Sequence, residues 1–95
     1  MRGAACLAMA LLAALPAQAA SPPAGASSCS GCHPPRPSTA TPVPPLAGRA
    51  PAEIVAALRA FRSGARPSTV MGRIAEGFTD AEVAAIAAWY SGEPR

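Results

Sequence analysis

Cys29 and Cys32 stand three positions apart, and His33 follows the second thiol directly. This stretch constrains the chain more than any other. The spacing is that of a c-type haem attachment site. Each thiol adds to one haem vinyl group, and the short Ser30-Gly31 bridge lets both sulfurs reach one edge of the macrocycle. His33 then falls beneath the ring, where an imidazole nitrogen binds the iron. Gly31 gives the backbone freedom to turn tightly there. Two thiols at this spacing also serve as a redox pair or as half a zinc site. A zinc site needs two ligands beyond His33, and a thioredoxin-like pair needs a βαβ pattern that this chain lacks.

The amino terminus sets the compartment. Arg2 precedes an almost unbroken apolar run from Ala4 to Leu15, which Pro16 ends, and Ala17-Gln18-Ala19 supplies the small residues of a cleavage site. The run falls short of the ~20 residues that span a bilayer. Residues 1–19 are therefore expected to be a secretory signal peptide, cut after Ala19, that takes Cys6 with it. The mature chain is then periplasmic, with no membrane span. From residue 20 onward seven arginines face five acids, a formal charge of +2, with no lysine. Two ionised haem propionates would bring that close to zero. Nucleic-acid and polybasic membrane binding want clustered positive charge, and none is present.

Phe61, Phe78, Trp89 and Tyr90 are all the aromatics, a thin core for a domain of this size. Such chains need a staple. With both mature cysteines committed to haem, the haem is that staple and much of the core, and the apoprotein is expected to fold poorly.

Residues 20–28 form a flexible lead-in in which a short helical turn begins near Ala24 and runs into the cysteines. Between Pro34 and Pro51 stand Pro35, Pro37, Pro42, Pro44 and Pro45. That density rules out a helix or a sheet interior and predicts an irregular loop, ordered by contact with the haem. A helix over 51–62 follows from Pro51 at its first position, Glu53 in its first turn and the stripe Ile54, Leu58, Phe61. Ser63-Gly64 stops it. Arg66 to Phe78 is expected to be a second loop. Thr79-Asp80-Ala81-Glu82 then reads as a capping box, opening a helix that buries Val83, Ile86, Ala87 and Tyr90 and ends near Ser91-Gly92. There is no strand signal. The expected fold is all-α, a domain over 29–95 whose helices are joined by long loops around one covalent haem.

A six-coordinate haem needs a second axial ligand. His33 is the sole histidine, and Met71 the sole methionine after the leader. A lone methionine is often core filler. In a loop beside Gly72 and downstream of a haem motif, Met71 is instead expected to bind the iron. Paired His and Met ligation raises the reduction potential and leaves no open position, which favours electron transfer over catalysis. Were Met71 unbound, the sixth position would be open, as in a haem catalyst or gas sensor. No catalytic residue is assigned. Arg62, Arg66 and Arg73 could meet a haem propionate or a partner protein, or simply be solvated.

The haem motif, the segment Pro44-Pro45-Leu46-Ala47-Gly48, the loop methionine and the C-terminal amphipathic helix together resemble class I c-type cytochromes. That resemblance implies a Pro44 carbonyl accepting a hydrogen bond from the outer nitrogen of His33. Phe61-Arg62-Ser63-Gly64, with Ser68 to Phe78, is most similar to the cytochrome subunit of flavocytochrome c sulfide dehydrogenases. It implies a subunit that accepts electrons from an FAD-bearing, sulfide-oxidising partner in the periplasm. A free electron shuttle is the other form this resemblance allows. Pro34 departs from the pattern, since these cytochromes usually carry glycine after the ligating histidine.

Overall fold

The computed structural model describes residues 21–94 and Gly3. The expected signal peptide and its cleavage point lie outside the described residues, Gly3 apart. Four helices follow in order: α1 (Ala26–Cys29), α2 (Pro51–Ser63), α3 (Met71–Glu76) and α4 (Asp80–Ser91). Among the described residues there is no strand, and no helix is long and apolar enough to cross a membrane. The architecture is that of a small all-α domain with long connecting loops, as the sequence leads one to expect.

α1 is a single turn and depends on Gly25. That glycine takes a left-handed φ of 84°, and a side chain on it would collide with the Phe78 ring. Both demands exclude any other residue. α2 opens on Pro51 with Glu53 in its first turn and closes on Gly64, whose φ of 79° ends the helix. α4 carries the complete capping box: Thr79 Oγ1 accepts from the Glu82 amide at 3.2 Å, and Glu82 Oε1 accepts from the Thr79 amide at 2.9 Å.

One expected loop is a helix. The 66–78 segment contains α3, so Met71 begins a helical turn and does not sit in a loop. Six residues are too few to nucleate a helix alone, and contact with α2 stabilises this one. Gly72 lies against the Phe61 carbonyl, where a Cβ would stand at 3.4 Å. Ala75 is fully buried, and Ser68 Oγ accepts the otherwise orphaned Gly72 amide at 2.8 Å. Gly31, by contrast, needs no special backbone. Among the described residues the positive φ values belong to Gly25, Gly48 and Gly64.

α2 packs on α3 and α4. The core is Ala26, Ile54, Ile86, Ala87 and Tyr90, with Leu46, Leu58, Phe78 and Trp89 packed against it. It is thin, as the aromatic content implies. Ile86 and Val83 are the largest side chains wholly withdrawn from solvent. Truncating one of them leaves a void that so small a core cannot close, so Ile86→Ala is expected to cost about 2–5 kcal/mol in urea unfolding.

Tyr90 ties three segments together. Its hydroxyl donates to the Ala26 carbonyl, and its own carbonyl accepts from the Gly48 amide at 2.9 Å. The proline-rich stretch is thereby held on α4 without secondary structure of its own.

Arg62 joins the end of α2 to the start of α4. One Nη donates to Asp80 at 2.8 Å and the other to the Phe78 carbonyl at 3.2 Å. The guanidinium holds the Asp80 carboxyl below its ordinary range, and the Thr79 amide and hydroxyl do the same for Glu82. Both groups bind protons less readily folded than unfolded. Their stabilisation is complete above the ordinary carboxylate range and is lost as pH falls through the lowered values. Helical circular dichroism with urea should show midpoints falling on acidification. The fall should be shallower in Asp80→Asn, and Thr79→Ala should lose about 1 kcal/mol at neutral pH.

Candidate functional site

The end of α1 coils into the motif. Gly31, Cys32 and His33 donate their amides to Ser28, Cys29 and Cys29 carbonyls at 3.3, 3.2 and 2.9 Å. This one tight coil carries both thiols and the imidazole. Cys29 is half-buried and Cys32 exposed, and both are free thiols. Burial pushes the Cys29 thiol above its ordinary value, which keeps it protonated at neutral pH.

His33 Nδ1 lies 2.6 Å from the Pro44 carbonyl oxygen. A carbonyl only accepts, so Nδ1 carries the hydrogen and Nε2 keeps its lone pair in the neutral ring. That is the tautomer a metal-binding imidazole needs.

Cys29, Cys32, His33 and Met71 all line one groove of about 820 Å³, inside the ~300–1,000 Å³ range of cofactor and ligand sites. Pro42, Val43, Pro44 and Leu46 of the proline-rich stretch line it as well, with Ile54, Leu58 and Phe61 of α2 and Ile86 of α4. The stripe that periodicity places on α2 is thus shared between core and groove: Ile54 is buried, while Leu58 and Phe61 remain partly exposed. Val70 and Ile74 also line the groove and are 56% and 38% exposed, a large apolar surface for the chain alone to leave uncovered. Two thiols, an imidazole and a thioether on mainly apolar walls suit a flat, largely apolar group with a metal at its centre. Among the described residues, no three His, Cys, Asp or Glu side chains are grouped to hold a bare metal ion.

The three arginines named from sequence separate here. Arg62 is committed to Asp80 and Phe78. Arg73 is exposed and is not among the lining residues. Arg66 lies over the Phe61 ring, 4.8 Å from its centroid, and lines the groove. Sequence reasoning passed over Arg49, which also lines it with Glu53. Its position directly after the Pro44–Gly48 segment was the available signal.

No protein-family model matches the chain. It is 41% identical over 63 residues to the cytochrome subunit of sulfide dehydrogenase from Chlorobaculum tepidum, a match that covers 66% of this chain and 57% of the relative. The chain thus spans little more than half the length of that relative. Fold and match together make it cytochrome c-like and similar to that subunit.

Proposed function

We propose, for a cytochrome c-like chain similar to a sulfide dehydrogenase's cytochrome subunit, that it carries single electrons in the periplasm as a mono-haem c-type cytochrome. Its electrons come from an FAD-containing sulfide dehydrogenase subunit. The observation that carries this reading is the convergence of Cys29, Cys32, His33 and Met71 on one apolar groove.

One covalent haem c, when bound, supplies an iron centre that gains and loses one electron. The chain's own residues do the rest. Cys29 and Cys32 tether the group at the end of α1. His33, oriented by the Pro44 carbonyl, would hold the iron through Nε2, and Met71 would hold it through its sulfur. Held by these two side chains, the metal would serve electron transfer rather than the binding of water or substrate. Leu58, Phe61 and Ile86 keep the surroundings apolar, which limits solvent reorganisation when charge changes. The leader over residues 1–19 supports the periplasmic placement, where such attachment takes place.

Expression with a c-type maturation system tests the reading. The expected product starts at Ala20 by mass spectrometry and keeps its haem through a denaturing gel. It shows in the ferric state the weak red-end charge-transfer band of methionine–iron ligation. Mixing with the flavoprotein and sulfide should reduce it. Reduction by other donors only would make it a free shuttle. An oxidised spectrum without the band, with ready carbon monoxide binding, would point to a haem catalyst or sensor with an open sixth site.

A further inference from the structure

Pro44 and Pro45 stand side by side where the imidazole of His33 is oriented, and neither has an amide hydrogen. This pair can be anchored through its backbone only by its carbonyls. The Pro44 carbonyl accepts from His33 Nδ1 at 2.6 Å, and the Pro45 carbonyl accepts from Arg49 Nε at 3.0 Å. Arg49 is itself fixed: its amide donates to the Leu46 carbonyl at 3.2 Å, beside the Gly48 amide's bond to Tyr90. Among the described residues the ion pair is Arg62 with Asp80; Arg49 makes no ion pair, and Glu53 is the acid that lines the groove with it.

We propose that Arg49 is the positioning residue for His33, fixing through Nε the diproline whose neighbouring carbonyl orients the imidazole, and leaving its positive charge beside the groove. The proposal rests on the haem reading above. A ligand imidazole held by a single carbonyl is only as well oriented as that carbonyl, and a diproline without donors has few means of holding it. The charge acts separately: a cation next to a redox group favours the electron-rich state.

Two substitutions separate these effects. Arg49→Lys places a methylene where Nε stands, which removes the donor and keeps the charge. Arg49→Met removes both. In the haem-loaded mature protein, solvent exchange of the His33 Nδ1 proton, followed by NMR, is expected to rise about tenfold in both variants, the loss of one hydrogen bond from a charged donor. The reduction potential should fall in Arg49→Met and stay close to wild type in Arg49→Lys. Exchange at the wild-type rate in Arg49→Lys overturns the proposal, even if Arg49→Met does not fold. A wild-type chain without covalent haem overturns the haem reading and this one together. A haem-loaded wild type with unchanged Arg49→Lys exchange overturns this one alone.

Discussion

A Cys29→Ala, Cys32→Ala double variant is expected to retain no haem through a denaturing gel and to lose its cooperative thermal transition. The reason lies in how little the polypeptide buries by itself. Single domains hold on the order of 0.05–0.15 kcal/mol of stability per residue, a margin of a few kcal/mol here. Leu58 and Phe61 are only partly covered, and on the same groove Val70 and Ile74 stay 56% and 38% exposed. Each such side chain forgoes an appreciable part of the ~1.5–3 kcal/mol that full burial contributes. Together they amount to as much as the whole margin, so the occupant of the groove completes the fold. Circular dichroism melts of the double variant and the parent check this. A sharp transition in the double variant within a few degrees of the parent would show that the polypeptide core suffices. Either single variant keeps one thioether and should fall between the two.

Met71→Ala is expected to leave the fold intact and change the site. Met71 is half-buried at the first position of α3, where alanine is a good helix former. The packing of α3 rests on Ala75 and Gly72 instead. Ferric spectra should lose the red-end band and reduced protein should bind carbon monoxide. The potential should drop by an appreciable part of the ~0.8 V over which axial ligands set haem potentials. A thermal transition near that of the parent, measured alongside, separates ligand loss from unfolding. A variant with the parent's spectrum and potential would remove Met71 from the ligand set.

The legible parts of this chain are those whose cause lies within one helical turn. Thr79 and Glu82 cap each other three residues apart, and Pro51 and Gly64 mark the ends of α2 by their own backbone preferences. The burial of Val83, Ile86, Ala87 and Tyr90 follows from a 3.6-residue period. α3 was illegible because its stability comes from the α2 surface. Its six residues carry a glycine at the second position, and the apolar spacing Met71, Ile74, Ala75 spans a single turn, too short a run to read as a helix against that glycine. The arginines were illegible for a related reason. Arg62, Arg66 and Arg73 look alike along the chain, yet one ties two helices, one stacks on an aromatic ring and lines the groove, and one is left to solvent.

By itself the sequence determined the haem-type motif, the two long helices and the absence of any strand pattern, because spacing, capping and periodicity are properties of neighbours along the chain. Only the tertiary structure decided which side chains meet. It brought Met71 on α3 to the same groove as Cys29, Cys32 and His33, and set Tyr90 on Ala26 across 64 positions. It also placed Arg49 and His33 on adjacent proline carbonyls. Those contacts join segments that share no local signal, and they form because a thin apolar core and a loop without backbone donors have few other ways to be held.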